Sequence, residues 1–263
     1  MALTAVRYML RSLELSAEEI GLNCADMKIK LPLVATSDTQ DQMLRLSAKA
    51  HWSRNEVSIT IFSVNSTTEK ISDHASCAVK ITQAPASLLM QEWKRIGYLV
   101  RARIQSLQRG VEDGHCHKLR RGLAYRLFSS LVEYSSNYQG MQEVILDTDE
   151  FEACAQVVFQ TADNGFEWNP CWIDSLGHIA GFIMNGNDNV HSKDYVFVNH
   201  GWSDIRCAKK MEHGKTYQTY NKMHPDDDKG TTYSGDTYIL EDGAVVAVFG
   251  GVKVYCPRVP LAV

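Results

Sequence analysis

The sequence has no apolar run approaching the roughly 18–20 residues of a membrane-spanning helix, which excludes a helical integral membrane protein. Its first residues, Met1 to Leu15, are interrupted by Arg7 and Arg11 and lack a small-residue cleavage site after an apolar core, so they do not read as a secretory signal. No two of the seven cysteines have Cys-x-x-Cys spacing, and their number is odd; reduced thiols in a cytoplasmic protein are expected rather than a disulfide framework. There is no excess of positive charge: the formal net charge is −4, and nothing points to nucleic acid. No Gly-x-Ser-x-Gly, phosphate loop or Gly-x-Gly-x-x-Gly occurs, which removes support for nucleophile-elbow hydrolases and nucleotide-binding folds. Phe249-Gly250-Gly251-Val252 is a lone glycine pair that reads as a strand bend. His115-Cys116-His117 offers metal-binding side chains, but no second ligand pair stands at suitable spacing, so no metal is expected.

What is present is an ordinary globular composition, 44 % hydrophobic and 22 % charged, far from the disordered class. Val6, Met9, Leu10 and Leu13 give residues 3–14 a helical period, with no capping residue ahead of them. Strands are expected at Met27–Ala35, Gln42–Trp52, Glu56–Val64 and His74–Ile81, then a helix-rich block from Ala86 to about Tyr134, broken near Gly110–Gly114. The order then repeats. Strands are expected at Val144–Asp147 and Phe151–Gln160, and a helix at Pro170–Asn185. Further strands follow at Tyr195–Trp202, Ile205–Lys209, Thr216–Met223, Thr231–Leu240 and Ala244–Val254. Asp242-Gly243 fits a type I′ hairpin turn, and Pro225–Gly230 reads as a polar turn. Two tandem helix-plus-sheet units imply an α+β fold, divided as 1–110 and 111–263.

Chemistry concentrates on the expected helix 170–185. Asn169 is a natural cap, Pro170 suits the first helical position, and Gly186 is a natural stop. At about 100° per residue, Asp174, His178, Gly181 and Asn185 fall on one narrow stripe, while Trp172, Ile173, Leu176, Ile179, Phe182 and Ile183 make the rest apolar. A carboxylate on a buried helix must be paired or face a wet cavity. The stripe therefore reads either as the wall of a substrate channel or as an i,i+4 Asp–His pair reaching solvent through a gap. Asn199-His200-Gly201-Trp202, after the apolar Val196-Phe197-Val198, reads either as a second part of a site or as a strand-to-turn transition.

Several of these stretches together resemble the product-template domain of fungal non-reducing polyketide synthases. They are Trp172-Ile-Asp-Ser-Leu-Gly-His178, Phe182-Ile-Met-Asn-Gly-Asn187, Val196-Phe-Val-Asn-His-Gly-Trp202, Tyr125-Arg-Leu-Phe-Ser-Ser-Leu-Val-Glu-Tyr134, Tyr138-Gln-Gly-Met141 and Gly235-Asp-Thr-Tyr238. The resemblance runs from about Ala2 to about Pro257 and is densest between 118 and 252. It implies a double hot-dog fold, two antiparallel sheets each wrapping a long helix, related to polyketide dehydratases. It implies regioselective aldol cyclisation and aromatisation of a poly-β-ketone. The substrate would arrive on the phosphopantetheine arm of an acyl carrier protein from a ketosynthase, and the domain itself would hold no cofactor. Asp174 matches the carboxylate of the family's His–Asp dyad, and His178, Asn185 and Asn199 match polar pocket residues expected to line one cavity with it; His200, beside Asn199, is expected as a further substrate-binding residue. The dyad histidine lies upstream of the helix that begins near Met1, and none of the nine histidines present matches it. The resemblance thus implies an N-terminally truncated domain with an incomplete first hot dog, and little cyclase activity unless the upstream segment is restored. The alternatives are a catalytically inactive remnant that binds acyl chains, and a dehydratase- or thioesterase-like hot-dog enzyme. Chain length, cyclisation register and oligomeric state, a homodimer included, stay open.

Overall fold

The computed structural model describes residues 1–15, 20–34, 42–82, 86–129, 132–166, 168–190 and 195–256. Ala35, the end of the expected first strand, and Ser130, Leu131 and Pro257 of the matching stretches lie outside the described residues. The chain divides into two compact units, Met1–Ala86 with His200–Arg206, and Ser87–Asn199 with Cys207–Val263.

The first unit is one helix on one antiparallel sheet. Helix α1 (Ala2–Ser12) buries Ala2, Val6 and Leu10 along one face and has no side-chain cap, as its sequence implied. Strands β1 (Gly21–Ile29), β2 (Met43–His51), β3 (Glu56–Val64) and β4 (Lys70–Thr82) pair in the order β2-β3-β4-β1. Val6 and Leu10 pack with Cys24, Val57, Ile59, Cys77 and Val79; each such fully buried aliphatic side chain stabilises by about 1.5–3 kcal/mol. β1 starts six residues before its expected position. Gly21-Leu22-Asn23 has poor strand propensity, but pairing with Ile81 and its neighbours on β4 overrides it. Strand β8 (Val198–Trp202) enters this unit through its last three residues, where Gly201 lies opposite Lys28 and Trp202 opposite Met27. A Cβ at Gly201, whose φ is +144°, would sit 1.9 Å from the Met27 carbonyl oxygen, so only glycine permits this approach.

The second unit holds a six-stranded antiparallel sheet. It comprises β5 (His117–Arg120), β6 (Met141–Asp147), β7 (Glu152–Val158), β10 (Thr216–Lys222), β12 (Thr232–Glu241) and β13 (Ala244–Tyr255), in the order β13-β12-β10-β7-β6-β5. The short β11 (His224–Pro225) adds to β12, and β9 (Asp204–Cys207) spans residues of both units. The hairpin between β12 and β13 turns at Asp242 and Gly243 with φ of +50° and +77°, as a type I′ turn requires. Helix α2 (Ala86–Glu112) buries Trp93, Val100, Ile104 and Leu107 against Ile145, Cys154, Tyr220, Leu240 and Val248. This packing places residues 87–110 in the second unit, so the compact units part at Ala86 and not at 110. The expected helical block 86–134 also contains β5, whose four residues are held by β6 rather than by local propensity. Helices α3 (Arg121–Phe128) and α4 (Pro170–Asn185) complete the unit. No described helix is long and apolar enough to cross a membrane.

Candidate functional site

Helix α4 forms where its local signals put it. The Asn169 side-chain oxygen accepts the Cys171 N–H at 3.0 Å and Pro170 occupies the first turn. Trp172, Leu176, Ile179, Phe182 and Ile183 are buried. Trp172 stacks on Phe159 at 4.8 Å and donates its indole N–H to the Thr161 carbonyl. Ser175 Oγ donates to the Tyr138 carbonyl at 2.8 Å, and Gly140 lies so close that a Cβ there would be 2.6 Å from Ser175 Cβ. The helix is thereby fixed in height and rotation, which aims its polar stripe.

On that stripe His178 is 4 % exposed, while the Asp174 side chain is about half exposed. Asp174 Oδ2 and His178 Nε2 are 2.8 Å apart. The other ring nitrogen, Nδ1, is 3.0 Å from Tyr125 Oη, which itself accepts the Met141 N–H at 3.1 Å. Tyr125 Oη also lies 3.4 Å from the Tyr138 carbonyl, but that oxygen already accepts from Ser175 at 2.8 Å, and the shorter contact to His178 Nδ1 sets the order for a neutral imidazole. Met141 N–H donates to Tyr125 Oη, Tyr125 O–H donates to His178 Nδ1, and His178 Nε2–H donates to Asp174 Oδ2. No described residue is hydrogen-bonded to Asp174 Oδ1. Around the imidazole stand Tyr134, at 4.2 Å between ring centroids, and Phe128, at 6.0 Å. Burial raises the Tyr125 phenol above its usual range, with the Met141 N–H opposing, and pushes Tyr134 up to about 12, with the Asp174 charge as the second cause. Both phenols therefore keep their protons at neutral pH.

The remaining expected residues are placed differently. Asn185 Nδ2 donates to the carbonyls of Gly181 and Phe197, and its Oδ1 accepts the Phe197 N–H, all at 2.9 Å. Its amide is committed to backbone. Asn199 and His200 are exposed residues of β8, within a strand rather than at a turn. Tyr125, Tyr134 and Ser175 had no role in the sequence reading. Tyr125 and His178 stand 53 residues apart, and a tyrosine among the apolar positions of a short helix reads as core.

No protein-family profile matches the chain. Over 253 residues, 96 % of its length, it is 44 % identical to a non-reducing polyketide synthase of Byssochlamys spectabilis and 42 % identical to the conidial pigment polyketide synthase alb1 of Aspergillus fumigatus. It is also 44 % identical over 252 residues to the conidial yellow pigment biosynthesis polyketide synthase of Emericella nidulans. The chain spans 11–12 % of the length of these relatives. Among solved structures, it resembles the dehydratase domain from the CurK module of curacin polyketide synthase, with TM-score 0.67 and 14 % identity over 97 % of this chain and 79 % of that one. The dehydratase domain of RzxB from Pseudomonas fluorescens gives TM-score 0.66 and 14 % identity over 94 % and 80 %. These likenesses establish a double hot-dog fold of the dehydratase type.

Proposed function

We propose that this chain, a double hot-dog member of the fungal non-reducing polyketide synthases, acts as a product-template domain that directs aldol cyclisation and aromatisation of a carrier-bound poly-β-ketone. The observation that carries the reading is the hydrogen-bonded chain that runs from Tyr125 of α3 through the buried His178 to Asp174 on α4, which holds a half-exposed carboxylate in one orientation. A CH₂ between two ketones is acidic enough for a neutral imidazole to remove its proton. The enolate attacks a distant carbonyl of the same chain, and loss of water leaves an aromatic ring. A carboxylate beside such an imidazole fixes its tautomer and stabilises the cation formed.

Asp174 supplies that carboxylate. His178 does not serve as the base in this arrangement, because both its ring nitrogens are already bonded. It is a positioning residue: its Nε2–H holds Oδ2 and leaves Oδ1 for the catalytic imidazole, which the resemblance puts outside these 263 residues. Asn199 and His200 are assigned to the substrate's carbonyls, and Asn185 acts through the Phe197 segment that it holds. The partners are an acyl carrier protein and a ketosynthase of the same synthase. The test replaces Asp174 by Asn in the full-length synthase and scores ring-closed products against spontaneous pyrones. Regiospecific product should fall by about 10²–10⁴-fold, and an unchanged product profile would remove Asp174 from the chemistry.

A further inference from the structure

The end of α2 builds a second cluster of chemically capable side chains, unrelated to α4. After Glu112 the chain reverses through Gly114, whose φ is +83°. The N–H groups of His115 and Cys116 then both donate to the Gly110 carbonyl at 3.0 Å. This turn folds both side chains back over Gly110. A Cβ on Gly110 would lie 2.4 Å from Cys116 Sγ and 2.8 Å from His115 Nε2, so the glycine makes room for both donor atoms at once. Next, β5 pairs with β6 so that His117 faces Leu146. Stepping one residue outward along each antiparallel strand brings Cys116 beside Asp147. Asp147 Oδ1 accepts the Glu150 N–H at 3.1 Å, and Oδ2 is 3.9 Å from Cys116 Sγ. One imidazole nitrogen, one sulfur and one carboxylate oxygen thus lie within 4.8 Å of one another.

We propose that His115, Cys116 and Asp147 form a zinc site with three protein ligands and a fourth position open to solvent. Tetrahedral Zn²⁺ with these ligands sets its donor atoms about 3.3–3.6 Å apart, so the sulfur and oxygen, 3.9 Å apart, need to close by a few tenths of an ångström, and the exposed His115 ring, within 4.8 Å of both, swings in by about 1 Å. The donor set selects the metal: a thiolate with an imidazole suits zinc and not magnesium or calcium. The fourth position follows from exposure, since Cys116 is buried while His115 faces solvent. Local sequence offered only the 115–117 run; the third ligand comes from a strand 31 residues later.

The experiment titrates the purified chain with Co²⁺ and follows thiolate-to-metal charge-transfer absorption, then displaces the Co²⁺ with Zn²⁺. The expected result is one equivalent bound, displaced by one equivalent of Zn²⁺. The band should vanish in Cys116→Ser and persist in Cys171→Ser, a control at a half-buried cysteine outside the cluster. His115→Ala changes an exposed residue and should leave the fold intact by circular dichroism; it and Asp147→Asn should each weaken binding by about tenfold or more. Absence of the band in the parent chain, its survival in Cys116→Ser, or unaltered affinity in both His115→Ala and Asp147→Asn would overturn the site.

Discussion

Asn185 and Phe197 are joined through both halves of one primary amide, Nδ2 to the Phe197 carbonyl and Oδ1 to the Phe197 N–H, each at 2.9 Å. A side chain at the end of α4 thus does for residue 197 what a neighbouring strand would do. Each bond contributes about 0.5–1.5 kcal/mol net. Asn185→Ala should therefore cost about 1–3 kcal/mol in urea unfolding. Asn185→Asp should cost at least as much, because it sets a carboxylate against the Phe197 carbonyl. Parent-like stability in both variants would return Asn185 to direct substrate contact.

A second expectation concerns the charge buried between α2 and β7. Glu152 is fully buried; it accepts from Arg103 Nε at 2.9 Å and from Tyr220 Oη at 2.5 Å. Removing the guanidinium strands a carboxylate in the core, and breaking such pairs costs about 3–5 kcal/mol. Arg103 is itself nearly half exposed, which favours the lower end. Arg103→Leu should be strongly destabilising, and the double variant with Glu152→Leu should lose less than the sum of the single losses. Additive losses across that cycle would show that the pair is not coupled.

What the sequence made legible, and what it did not, divides by range. The bounds of α4 follow from Asn169, Pro170 and an apolar run, all local, and they match the structure residue for residue. The Asp242-Gly243 turn is equally local. The Asp174–His178 pair was readable because residues four apart on a helix are neighbours. Strand β1 was misplaced at its start, and β5 was missed, because partner strands hold them against weak propensity. The place of α2 in the second unit depends on Trp93, Val100 and Ile104 meeting side chains from β6, β7, β10, β12 and β13. The committed amide of Asn185 was hidden for a related reason: its partner is backbone, which carries no sequence signal.

The loop after β11 should report on pH. Asp227 accepts from Thr231 Oγ1 at 2.7 Å and from the N–H groups of Thr231 and Lys229 at 3.0 Å. The Thr231 hydroxyl, followed by its N–H, holds this carboxyl down at about 2. A depressed carboxyl supports the loop above the unfolded value of about 3.9, and that support is lost as pH falls through about 2. The Thr231 amide resonance should titrate with its midpoint near 2, and the step should disappear in Asp227→Asn. A midpoint near 4 would mean that the three bonds do not favour the charged form.

Tyr125 decides the order of bonds that holds Asp174. Were the imidazole proton on Nδ1, it would donate to Tyr125 and leave a bare Nε2 lone pair facing a carboxylate 2.8 Å away, which is repulsive unless Asp174 is protonated. With the proton on Nε2, Tyr125 O–H completes Nδ1 at 3.0 Å and every polar group is satisfied. The His178 ring nitrogens should therefore show Nε2 protonated and Nδ1 as a hydrogen-bonded acceptor in ¹⁵N spectra. Tyr125→Phe removes the donor to Nδ1 and the acceptor of the Met141 N–H together. Two buried groups lose partners, and each costs about 1–3 kcal/mol when left unmet. The Nδ1 resonance should shift toward that of an unbonded imidazole nitrogen while Nε2 stays protonated, a change that general loosening of the core would not produce selectively. If Tyr125 positions Asp174 through His178, the same substitution in the full-length synthase should lower ring-closed product, as Asp174→Asn does, but by less. A wild-type spectrum with the proton on Nδ1, or a Tyr125→Phe spectrum with Nδ1 unmoved, would mean that the chain of donors runs another way.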